Sequence, residues 1–325
     1  MKERAIIGFL GVVTCMLIVI TLADVIWTND SVNMEQGTTT GENIVAENDA
    51  TGNNGENIED STDNGDHEDG NSSVSIINPE GTVLAERIAT PKGYTRTEET
   101  AESLGTFIRN YGVKEHGAKV LLYDGSEKGN QTAHAAVFTL PIEERNLQQC
   151  ADSVMRMYAE YFLATKQYDR IVFHFSDGFA ASYSKWIEGY KIKVTNDKAK
   201  WVEDSSCDAS YESFQEYMRL VFAYAGTYSM MSESKEIDLS ELKIGDIFIK
   251  GGSPGHVVMV VDTCVDQNGN KAFLLAQGYM PAQEFHILNN PLHSDDPWYY
   301  VDEVSYPLDT PEYTFGEGAL RSLNY

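Results

Sequence analysis

Three side chains that lie far apart in the sequence, Cys150, His256 and Gln277, have the types a thiol-dependent hydrolase needs. Cys150 falls in the first turn or so of NLQQCADSVMRMYAEYFLAT, a helix that Asn146 is placed to cap. There the helix dipole and the free N–H groups favour a thiolate. The competing reading is an inert core cysteine, because Leu147, Cys150, Val154, Met157, Tyr158 and Tyr161 share one apolar stripe. His256 follows Ser253-Pro254-Gly255 and opens the run Val257 to Val261, so its imidazole would face a cleft from a rigid strand. Alternatively it ties off the turn. Gln277 and Gln283 flank GYMPA; such amides can orient an imidazole, bind a substrate amide, or simply cap a strand. Read together, Cys150 would be the nucleophile, His256 the general base and Gln277 the orienting group. Ser253, Gly255, Tyr279 and Gln283 are the expected substrate contacts around the same turn and strand end.

Other chemistries find no support. His286 and His293 with Asp295 and Asp296 match no standard ligand spacing and read as surface residues, so no metal is expected. HExxH, CxxC and phosphate-loop patterns are absent, and no cofactor is expected. Of the four cysteines, Cys15 lies in an N-terminal apolar run, Cys207 in a polar loop and Cys264 at a strand end. Cys150, Cys207 and Cys264 allow at most one bridge, so this is not a disulfide scaffold.

The elements that must position these residues are legible in outline. Asp246–Lys250, His256–Val261 and Ala272–Ala276 read as a three-strand meander joined by GGSPG and by Asn268-Gly269. The consecutive apolar residues of the second strand imply that both its faces are buried. Helices are expected at Ser103–Tyr111, after Asn146, and at Tyr211–Ala225, where Gly226 is placed to end the helix. Strands are expected at Val120–Tyr123, Ala133–Leu140 and Ile171–Phe175, and the Pro-rich chain after Leu288 should wrap the surface. The fold class is α+β, an antiparallel sheet with packed helices.

Charge and hydropathy divide the chain of 325 residues. The net charge of −26 excludes a nucleic-acid binder. Residues 28–80 hold 13 acidic residues and no Lys or Arg, and 28–75 reads as an acidic disordered linker. Ahead of it, Lys2 and Arg4 precede 19 residues without charge, Ala5 to Ala23. At roughly 1.5 Å per residue this run spans about 28 Å, enough for a bilayer core. Basic residues before it and acidic ones after it place the rest of the chain outside. Residues 1–27 are therefore expected to be a membrane anchor, with a cleaved signal peptide as the alternative. Residues 76–325 would be one extracytoplasmic domain.

Two resemblances bear on this reading. The strings NPEG, LYDG, LQQCAD with MRMYAEY, YAGT, GGSPGH and LLAQGYMPAQE resemble the bacterial domain-of-unknown-function family 4846, over about Asn78 to Leu323. That family implies no activity. More distantly, the helix Tyr211–Ala225, ELKIGDIFI and GHVVMVVD are similar to the core of NlpC-type, papain-like cell-wall peptidases. In those enzymes the cysteine starts the helix, the histidine opens a strand and a polar third member follows. His256 matches the histidine and Gln277 the third member, but this helix carries Ser213 or Phe214 where the cysteine would stand. The resemblance implies a papain-like second half and an amide hydrolase acting on cell-envelope peptides. The alternative is a non-catalytic module that binds a peptide or glycan in the same cleft.

Overall fold

The computed structural model describes residues 75–325, so the expected anchor and nearly all of the expected linker lie outside the described residues. In chain order, α1 (Leu84–Arg87), β1 (Tyr94–Arg96), α2 (Leu104–Arg109) and β2 (His134–Val137) lead into the long helix α3 (Cys150–Ala164). Two hairpins follow, β3 (Val172–His174) with β4 (Ala180–Ser182) and, after α4 (Tyr183–Ile187), β5 (Tyr190–Thr195) with β6 (Lys198–Glu203). Helices α5 (Tyr211–Tyr224) and α6 (Thr227–Ser232) precede β7 (Ser234–Glu236), β8 (Ile247–Lys250), β9 (His256–Asp266) and β10 (Lys271–Gln277). The chain closes with β11 (His286–Leu288), β12 (Tyr299–Tyr300), β13 (Leu308–Asp309), β14 (Thr314–Phe315) and β15 (Leu320–Leu323).

Nine of these strands form one antiparallel sheet with the path β2-β11-β10-β9-β8-β15-β7, while β1 and β12 pair with the far ends of β9 and β10. This is the α+β architecture expected. The alternation of a strand sorts β9 between two cores. Val257, Met259 and Val261 join Val154, Met157, Phe214 and Met218 of α3 and α5. Val258 and Val260 join Phe248, Phe273, Leu308 and Phe315, so the other face is covered by the C-terminal segment. All five valines and methionines of this run are fully buried. Each such side chain contributes about 1.5–3 kcal/mol on leaving water, which is why the meander is the rigid centre.

The turn between β9 and β10 is fixed by Asp266, whose carboxylate accepts the Asn268 and Asn270 N–H groups at 2.8 Å, with Gly269 at φ +86°. Midway along β9, Asp262 is fully buried and takes Arg96 Nε and Arg109 Nε at 2.7 Å each. These two ion pairs tie β1 and α2 to the sheet.

Several expectations are corrected. Val120–Tyr123 forms no strand; Leu121 and Leu122 make isolated bridges to Glu127 and Gln283. Helix α3 begins at Cys150, and the Asp152 carboxylate, not Asn146, satisfies an N-terminal group by accepting Gln149 N–H at 2.9 Å. Asn146 instead accepts Ala282 N–H at 2.8 Å. Gly226 does not close α5; it precedes α6 in an extended conformation. The chain after Leu288 is no surface wrap, since β15 sits inside the sheet between β8 and β7. The β5–β6 hairpin was not foreseen, although KIKVTNDKAKWVE holds its turn at Asn196 and Asp197, both with positive φ.

Candidate functional site

His256 is the first residue of β9 and Gln277 the last of β10. The hairpin brings them together on the face opposite the helices, and His256 Nε2 lies 2.7 Å from Gln277 Oε1. The expectation of an imidazole open to a cleft is corrected, because His256 is only 2% exposed. Its ring packs on Tyr279 (centroids 4.6 Å apart) and Tyr313 (4.8 Å), with Phe315 at 6.0 Å. Burial pushes the His256 pKa down to about 4, against the Gln277 hydrogen bond, so the ring is neutral at neutral pH.

Cys150 is 8% exposed at the first position of α3. Gly278 lets the helix start abut the end of β10: a Cβ there would lie 2.4 Å from Ser153 Oγ and 2.8 Å from the Gln149 carbonyl. The thiol thus reaches the corner where β9 begins. Its pKa is pushed up to about 11, chiefly by burial and then by the Asp152 carboxylate; the N–H groups of Ala151 and Val257 favour the thiolate too weakly to offset this. Cys150 and His256 make no mutual hydrogen bond, and His256 Nδ1 has no hydrogen-bond partner among the described residues. The physical reason is the pleat. His256 shares its face with Val258 and Val260, whereas Cys150 belongs to the helix side.

The expected substrate contacts separate. Ser253 is exposed in the turn before β9, and Tyr279 lies over the imidazole with its hydroxyl 3.4 Å from the Glu312 carbonyl. Gly255 is a packing residue, since a Cβ would lie 2.5 Å from both the Gly252 carbonyl and Thr227 Oγ1. Gln283 is 1% exposed and donates to the Pro281 carbonyl at 3.1 Å, so it takes no part in the histidine cluster. Cys207 and Cys264 are buried free thiols, so the polar loop that carries Cys207 does not expose it.

Four residues outside the expected site, Lys128, His286, Glu312 and Tyr313, complete the cluster. Gln277 Nε2 donates to Glu312 Oε2 at 2.7 Å, and Lys128 Nζ forms an ion pair with the same carboxylate oxygen. His286, expected on the surface, is fully buried in β11 directly across from Gln277, with Nε2 3.3 Å from Lys128 Nζ. Tyr313 covers the imidazole from the loop between β13 and β14. A histidine inside the apolar string FHIL was a readable sign of burial. Nothing local in TPEYTF marks Glu312. Among the described residues no group of three or more His, Cys, Asp or Glu side chains is arranged to hold a metal ion, and no helix is long and apolar enough to cross a membrane.

Comparison with curated proteins and with solved structures finds no match to this chain. A family model described as domain of unknown function 4846 matches residues 84–322, which takes in α3, the whole meander and the Glu312 loop. The chain belongs to that family.

Proposed function

We propose that the domain is a thiol-dependent amide hydrolase, papain-like in the logic of its site, with Cys150 as nucleophile, His256 as base and Gln277 as the group that orients the imidazole. The observation that carries this reading is that the start of α3 packs on Gly278, next to Gln277, and that the Cys150 thiol meets the N–H of Val257, next to the His256 that Gln277 holds at 2.7 Å. His256 Nδ1 would accept the thiol proton as Sγ attacks the amide carbon. The imidazolium would return that proton to the departing amine, and water would then hydrolyse the thioester. With the thiol near 11 and the imidazole near 4, the resting pair is neutral, and proton transfer belongs to the substrate complex. Tyr279 and Tyr313 must swing off the ring for substrate to enter. Cell-envelope peptides are the proposed substrates, reached from outside the membrane through the expected N-terminal anchor and linker.

The test is incubation of the full-length protein with cell-wall peptides, read as newly released amino groups, alongside Cys150→Ala and His256→Ala variants. Release by the parent that falls at least a hundredfold in both variants is the expected result, on the scale of losing a general base. Release that survives Cys150→Ala removes the thiol mechanism.

A second reading has its own observation, the burial of both groups without a hydrogen bond between them. On that reading the domain binds a peptide or glycan and performs no chemistry. Saturable binding of cell-wall fragments, unchanged by Cys150→Ala and without turnover, would select it.

A further inference from the structure

One atom of the buried polar cluster around His256 cannot change its hydrogen-bonding role. The Glu284 carbonyl is an acceptor only, and it lies 2.8 Å from His286 Nδ1. His286 Nδ1 therefore carries the proton. Burial and the neighbouring Lys128 ammonium drive the His286 pKa well below its ordinary value, so this ring is neutral and its Nε2 is a bare lone pair. That lone pair faces Lys128 Nζ at 3.3 Å and Gln277 Nε2 at 3.4 Å, both donors. Glu312, held by Lys128 and by Asn130 Nδ2 at 3.2 Å, takes the other Gln277 proton at 2.7 Å.

Both protons of the Gln277 amide are thereby engaged, and its oxygen is left for His256. Turning the amide over would set its oxygen against the Glu312 carboxylate and the His286 lone pair. It would also leave its NH2 facing His256, which would then have to carry its proton on Nδ1, and would give up one charge-assisted and one neutral hydrogen bond inside the core. We propose that Glu312 and His286 are positioning residues that lock the Gln277 amide, and through it hold His256 as the Nε2–H tautomer with a free lone pair on Nδ1. Lys128 anchors both. The consequence for catalysis, a ring kept ready as a base on its Nδ1 side, rests on the hydrolase reading. The tautomer itself does not.

The experiment is nitrogen-15 NMR of the full-length protein labelled at histidine, with His256 assigned by its loss in His256→Gln. At neutral pH the parent is expected to show a protonated, pyrrole-type Nε2 and an unprotonated, pyridine-type Nδ1. A protonated Nδ1 overturns the proposal without any variant having to fold. Glu312→Gln should raise the minority tautomer roughly tenfold, the ratio that one charge-assisted hydrogen bond supports. Glu312→Asp, which restores a carboxylate, should reverse most of that change. A tautomer ratio identical in the parent and a folded Glu312→Gln protein removes Glu312 from the role. If the tautomer behaves as expected but no amide is cleaved, the positioning network stands and the hydrolase reading fails.

Discussion

Asp152, two residues into α3, carries a carboxyl that the fold holds in its protonated form. It is 6% exposed, one oxygen accepts the Gln149 N–H at 2.9 Å, and the other is buried with no partner. Burial raises its pKa to about 8 from an ordinary 3.8. Between those values the unfolded chain has lost the proton that the folded chain keeps, so this residue lowers stability as pH rises through that window, by at most about 1.4 kcal/mol per pH unit. Asp152→Asn keeps the shape and cannot ionise. It should flatten the decline toward pH 8 in urea unfolding, and a slope identical to the parent's would contradict the assignment. The same variant removes the charge that raises the Cys150 thiol. Above pH 8, iodoacetamide should therefore modify Cys150 faster in Asp152→Asn than in the parent, by up to about tenfold for a shift of one unit. Equal rates would mean that Asp152 does not reach the thiol.

The elements meet at close quarters in two places, and each predicts a loss. Gly278 brings the end of β10 against the start of α3, where a Cβ would press on the Gln149 carbonyl. Gly278→Ala should cost about 1–3 kcal/mol and slow Cys150 alkylation or quicken it, but not leave it unchanged, since the helix start must shift. Asp262→Ala strands Arg96 and Arg109 beside the sheet; with both guanidinium groups partly exposed, a loss of about 3 kcal/mol is expected. Chemical unfolding with an unchanged dependence on denaturant measures both. A loss under 1 kcal/mol for Asp262→Ala would mean that water already screens the pairs. These elements also mark what sequence can reveal. The run Val257–Val261 reads as a doubly buried strand because no alternation interrupts it, and Leu104, Phe107 and Ile108, spaced for one helix face, mark α2. His256 and Gln277 were legible as strand ends. Their burial was not, because Glu312, Tyr313 and Phe315 arrive with the β13–β14 hairpin, more than 30 residues beyond Gln277, which has no periodic pattern. The capping of α3 was misread for a related reason. Asn146 has the right chemistry for a cap but is taken by the Ala282 N–H, a partner distant in sequence.

Across the whole molecule the two buried imidazoles and Asp152 set opposing slopes with pH. His256, near 4 in the folded protein, and His286, held well below its ordinary value by burial, refuse protons that the unfolded chain accepts below its ordinary histidine value of 6.5. Stability is therefore lost as pH falls from 6.5 toward 4, and two histidines outweigh one carboxyl there. Above 6.5 the downward slope of Asp152 remains, so the parent should be most stable near mildly acidic pH. A maximum at pH 8 or above in denaturant titrations would contradict this. The sheet has one further implication. Strand β15 lies between β8 and β7, and the Glu312 loop just ahead of it closes over His256. During synthesis, then, the ribosome must release residues 308–323 before either the sheet or the histidine cover can be completed. A nascent chain that lacks them presents two bare strand edges and an uncovered imidazole, and is exposed to aggregation and proteolysis until they arrive.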